Sequence, residues 1–133
     1  MRNGLYYILT IMTPPSTVSL VRAPAYERGL VLSAMRACLA PLGGMGAVVK
    51  PGQRVLLKPN LLIGLPPSRA ATTHPDVVAA AIALVREAGG VPVVGDSPGT
   101  GGLESVAKIT GIRAVLDAAN VPLADFESVH WFT

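Results

Sequence analysis

The sequence predicts an α/β domain: a three-layer, Rossmann-like parallel sheet of about four strands, in a domain expected to be incomplete as it stands. Three observations carry this. Short runs rich in Val, Leu and Ile alternate with helical patterns, as they do in crossover units. The runs are apolar throughout rather than alternating, which suits strands covered by helices on both faces. Glycines and prolines punctuate almost every junction between them.

Residues 1–16 are read as an N-terminal extension that need not be ordered. Arg2 followed by the apolar run Leu5 to Met12 is faintly like a signal peptide, but no small-x-small cleavage site follows and Pro14-Pro15 comes next. Met12 is an alternative start. The domain itself is placed at residues 17–127. Thr17-Val18-Ser19-Leu20-Val21-Arg22 reads as a first strand. Between Tyr26 and Leu42, apolar residues at 30, 34, 38 and 42, flanked by Met35 and Leu39, make one helical face, and Gly43-Gly44 stop it. Lys50-Pro51-Gly52-Gln53 is a turn that launches a second strand, Arg54 to Lys58. A loop from Pro59 to Thr72 leads to a helix from about His74 to Glu87, with Val78, Ala81, Ile82, Val85 and Ala88 on one face and Gly89-Gly90 behind it. Val91 to Gly95 is the third strand, and Pro92 is tolerable at its start. After a glycine-rich loop, Asp96 to Gly102, come two short helices, Leu103–Thr110 and Ile112–Ala119, separated by Gly111, and a last strand from Val121 to Phe126. Residues 128–133 are an apolar tail with no closing element, which is why a longer domain is expected.

Composition narrows the function. Half of the 133 residues are hydrophobic and 14% are charged, against about 25% in an average soluble domain. Yet no run reaches the roughly 18–20 apolar residues of a spanning helix. The sequence therefore reads as a soluble, cytoplasmic domain whose surface is partly meant to be covered. The net charge of +3 comes from singly scattered Lys and Arg, so nothing favours nucleic acid. A single cysteine, Cys38, can neither close an internal disulfide nor hold an iron–sulfur cluster by itself.

Parallel open sheets bind ligands beyond the carboxyl ends of their strands. That rule brings together Lys58-Pro59-Asn60 from the second strand, Asp96-Ser97-Pro98-Gly99 from the third and Thr72-Thr73-His74-Pro75-Asp76 at a helix start, with Arg22 as a further candidate. Lys58, His74 and Asp96 are the candidate catalytic residues; Asn60, Thr72, Thr73, Ser97 and Gly99 are candidate ligand contacts. An ammonium at the end of an apolar strand needs a partner, and Asp96 is the obvious one. Thr73 is expected as N-cap with Asp76 completing a capping box. His74 would then sit at the positive end of the helix dipole, where a neutral imidazole and a bound anion are favoured. The glycines at 99, 101 and 102 match neither the dinucleotide fingerprint nor the Walker loop. No metal-ligand spacing is present.

Val55-Leu56-Leu57-Lys58-Pro59-Asn60-Leu61, then Ala71 to Val78, then Val94-Gly95-Asp96-Ser97-Pro98-Gly99, taken in order, resemble the N-terminal part of the domain-of-unknown-function family 362. Lys108 to Ile112 and the last strand fit as well, so the resemblance runs from about Thr17 to Glu127. It implies a redox-associated protein, since many members carry appended ferredoxin-type iron–sulfur domains. It also implies a missing C-terminal part or partner subunit, itself ferredoxin-like. Those cysteine motifs are absent here, so the cluster itself does not carry over to this chain. The Thr-His-Pro helix start is more distantly similar to the N-terminal domain of nickel-pincer lactate racemases, by analogy alone. The expected function is thus binding of an anionic small molecule or cofactor phosphate at the strand ends, with catalysis left open. The rival is an interaction or scaffold domain whose Lys58–Asp96 pair is structural.

Overall fold

The computed structural model describes residues 16–126. The expected N-terminal extension and apolar tail lie almost wholly outside them. The described chain is α/β, with a three-stranded, all-parallel sheet and four α-helices. In chain order these are α1 (Arg28–Leu39), β1 (Arg54–Leu57), α2 (Pro75–Glu87), β2 (Val91–Asp96), α3 (Leu103–Ile109), α4 (Ile112–Ala119) and β3 (Leu123–Asp125).

The sheet runs β1-β2-β3, with Leu57 opposite Val94 and Val94 opposite Leu123. Side chains alternate along a strand, so Leu57, Val94 and Leu123 share one face. That face meets the core, in which Leu61, Val78, Ile82, Val106, Ile112 and Leu116 are buried. The opposite face carries Leu56 and Val91, each about half exposed. Phe126 crosses it at Gly95, where an added Cβ would stand 2.7 Å from the Ala124 carbonyl oxygen and 2.8 Å from the Phe126 ring. Only glycine fits there.

Local signals placed most of these elements. At α2, Gly89 adopts φ 80° and donates to the Arg86 carbonyl, while Gly90 donates to the Val85 carbonyl, closing the helix with a Schellman arrangement. Val78, Ile82 and Val85 are buried as the periodicity predicts. Ala80 and Leu84 are buried too, because α2 has α1 and α4 on its flanks as well as the sheet beneath.

Three expectations change. The run Thr17–Arg22 forms no ladder: Val18 is 87% and Leu20 95% exposed. It lies along α1, where the Cys38 thiol reaches the Ser19 carbonyl at 3.5 Å. The helix expected to reach Leu42 is α-helical only to Leu39 and ends in a 3-10 turn, Ala40–Leu42. Pro41 has no N–H to continue the α ladder. Its face also differs, for Val31 is the one buried residue of α1 while Leu30 and Leu42 are exposed. The reason is that α1 packs chiefly against α2.

Candidate functional site

Lys58 leaves the end of β1 and Asp96 ends β2, and adjacent parallel strands put the two side by side. Lys58 Nζ stands 2.5 Å from Asp96 Oδ1. The pair is lopsided: the Asp96 side chain is 4% exposed and that of Lys58 60%. Asp96 Oδ2 accepts the Leu61 N–H at 2.7 Å. Oδ1 is buried, and the oblique approach of the ammonium is its contact rather than a well-directed hydrogen bond. Burial pushes the Asp96 carboxyl up, but the Lys58 ammonium and the N–H groups of Leu61 and Ser97 together outweigh it. The acid is held below its ordinary value of 3.8. Asp96 is therefore an ionised buried anchor that orients Lys58 and fixes the loop at Leu61, whose side chain is wholly buried.

The loop after β1 is pinned to the start of α2. Thr73 N–H donates to the Asn60 carbonyl at 3.0 Å, and the Asn60 N–H donates to Thr73 Oγ1 at 2.9 Å. Thr73 is consequently not the N-cap. His74 fills that position: its Nδ1 accepts the Asp76 N–H at 3.2 Å. An accepting Nδ1 carries no proton, so in the neutral ring the proton sits on Nε2. Pro75 takes the first helical position, where a missing N–H costs nothing. Tyr26 stacks on the imidazole with ring centroids 4.0 Å apart and planes inclined by 12°. The Asp76 carboxylate lies 3.7 Å from Arg28 Nε and 3.7 Å from His74 Nδ1.

The other predicted residues divide. Lys58 and Thr73 line one cavity of about 200 Å³, walled by Leu57, Pro59, Val77, Val78 and Ala81. Asn60 is exposed and its Nδ2 donates to the Ala71 carbonyl at 3.5 Å. Thr72 is half-buried beside it, and Arg22 and Ser97 are exposed. Gly99 is spent on structure, since its N–H donates to the Leu62 carbonyl at 3.0 Å and joins the two strand-end loops. His74 and Asp96 do not line the Lys58 cavity. Among the described residues no group of three or more His, Cys, Asp and Glu gathers as a metal site. Two residues escaped sequence reasoning. Leu61 had one usable signal, an apolar residue directly behind Lys-Pro-Asn in a polar loop. Tyr26 had none, because its stacking partner is distant in sequence.

The chain is 50% identical over 117 residues to the protein named thylakoid-associated protein sll1697 of Synechocystis sp., a match covering 88% of this chain and 36% of that relative. It thus spans about a third of the relative's length. No solved structure matches it. The model of the family described as domain of unknown function (DUF362) matches residues 55–133, from β1 through both halves of the Lys58–Asp96 pair to the end of the chain, and the chain belongs to that family.

Proposed function

We propose that the carboxyl edge of the sheet binds a small anionic molecule or cofactor phosphate, with Lys58 supplying the charge. The observation that carries this reading is the lopsided ion pair. One buried carboxylate anchors the ammonium, yet the Lys58 side chain stays 60% exposed and opens on the same cavity as Thr73. Ammonium groups have three donors, and a single oblique contact leaves donors for a ligand. The Thr73 hydroxyl accepts from Asn60 and keeps its own proton to donate. His74 offers only Nε2, because Nδ1 caps α2, and like Asn60 and Thr72 it stands outside the lining of the Lys58 cavity. A proton-transfer or redox enzyme completed by further sequence is the stronger version of this reading.

The test is a thermal-shift series with inorganic phosphate, nucleotides and small organic acids. Lys58→Met should abolish any ligand-induced rise measured against its own ligand-free baseline, while Lys58→Arg should keep part of it. An undiminished rise in Lys58→Met rejects the reading.

A second reading is favoured by Asp96 Oδ2, which is committed to the Leu61 N–H. In that reading the pair serves folding and the domain is a platform for other parts of a longer protein. Failure of every anion to raise the melting temperature would select it. The cytoplasmic setting and the link to a ferredoxin-like partner belong to the same proposal. The first rests on composition and cysteine usage and the second on the sequence resemblance, and the relative's name adds thylakoid association as another setting. No helix among the described residues is long and apolar enough to cross a membrane, so attachment there through these residues would be peripheral. Fractionating cells into membrane and soluble pools, with and without a salt wash, separates the two settings.

A further inference from the structure

Among the described residues, no strand pairs with the β1 edge of the sheet. In the β1–β2 ladder the Val91 N–H bonds to the Gln53 carbonyl, and alternate residues of a parallel strand point to alternate sides. Val55 and Leu57 therefore face β2, and the N–H and C=O groups of Arg54 and Leu56 face outward. Such a row of free groups is a template for another strand.

Four further observations converge on what belongs there. The order β1-β2-β3 advances in one direction and the core helices lie on one face, as consecutive crossovers of one hand require. A strand before α1, added outside β1 with the same hand, would put α1 on that same face beside α2. There α1 is found. It also runs parallel to α2, with Arg28 near Asp76 at their starts and Arg36 bonded to Glu87 at 2.7 Å at their ends. Next, the packing of α1 is chiefly against α2 rather than the described strands. Finally, the extended run Thr17–Arg22 already lies along α1. Val21 shares a cavity of about 200 Å³ with Val31, Met35, Cys38 and Val77, and Val77 also lines the Lys58 cavity behind β1.

We infer that Thr17–Arg22 is a strap that docks as a fourth, parallel strand on the open edge of β1, closing the side of the cavity that Lys58 lines. Five residues, Ala23–Glu27, would then join strand to helix, within the roughly two to six usual for such loops. Docking would bury part of the surface that Val18 and Leu20 now expose. The inference stands on topology and does not depend on whether an anion binds.

Residue-resolved amide hydrogen exchange on the full chain tests it. The Arg54 and Leu56 amides should exchange at least about 100-fold more slowly than unstructured amides, as ladder amides do. In Ser19→Pro and Leu20→Pro, one or the other removes an N–H aimed at β1, since neighbouring N–H groups point opposite ways. At least one variant should release Arg54 and Leu56 while Val93 and Val94 stay protected. Free exchange of Arg54 and Leu56 in the unmodified chain overturns the inference. So does protection that rises with protein concentration, which would assign the edge to a second copy, and so does protection unchanged in both proline variants.

Discussion

Lys58→Met and Asp96→Asn delete opposite halves of one ion pair, and the lopsided burial predicts unequal consequences. Lys58→Met leaves a buried carboxylate without its cation, a loss that reaches about 3–5 kcal/mol for fully buried pairs and is smaller here because water reaches Lys58. Asp96→Asn keeps an oxygen for the Leu61 N–H and frees an ammonium that is already largely solvated, so about 1 kcal/mol is expected. The order should depend on pH. The Asp96 carboxyl titrates lower in the folded chain than its ordinary 3.8, so the unfolded chain takes up its proton first. Its contribution is complete above 3.8 and is lost as pH falls below that value through the folded one. Urea unfolding from pH 7 to pH 2 should show that acid loss shrinking in Asp96→Asn; an identical acid limb would refute the assignment. Gly95→Ala is argued from contact alone. Its Cβ would press on the Ala124 carbonyl, which is backbone and cannot turn aside, at a cost of about 1–3 kcal/mol. Of these residues Lys58 and Asp96 were legible in the sequence, because the ends of adjacent parallel strands must meet. Gly95 was legible only as a strand glycine, since the ring across it comes from beyond β3.

At the scale of the element, the start of α2 shows how far local pattern reaches. A helix beginning near His74 was readable from Thr-His-Pro and the apolar spacing behind it. Which residue caps it was not: Thr73 and His74 are neighbours, both can accept, and the choice fell to a tertiary bond that takes Thr73 Oγ1 to Asn60. If His74 is the cap, His74→Ala should cost about 1 kcal/mol for the lost acceptor, with a further loss from the Tyr26 stack. His74→Asn restores an acceptor without a ring and should recover the cap's share alone. Equal stabilities of His74→Ala and His74→Asn in chemical denaturation would show that the cap contributes nothing. The face of α1 was misread for a related reason. Periodicity tells that a helix has an apolar side, and the neighbour that decides which residues are buried lies elsewhere in the chain.

Across the whole molecule, burial is shared unevenly, and this predicts the order in which the fold opens. Five residues of α2 are buried, and it touches α1, α4, β1 and β2. Only Val31 of α1 is buried, and among the helices and strands of the sheet core α1 leans on α2. The Arg36–Glu87 bond joins the far ends of the two helices with both side chains about half exposed, and surface pairs of this kind contribute about 0–1 kcal/mol. Local opening follows buried apolar contact, so α1 should separate from α2 while the sheet, α2, α3 and α4 remain folded. The strap Thr17–Arg22 rests on α1 and should leave with it as one unit. Native-state hydrogen exchange in rising sub-denaturing urea should therefore show α1 amides merging into one early isotherm, below that of α2 and β2. Glu87→Gln should move that isotherm slightly and leave the α2 isotherm in place. Exchange of α1 amides only through global unfolding would mean that α1 is held by more than α2. The absence of a third ladder among the described residues and the weak hold on α1 then have a common physical origin. The helix lies in position over a strand site that its own preceding segment has yet to fill, so the part of the fold least legible in the sequence is also expected to be the least stable.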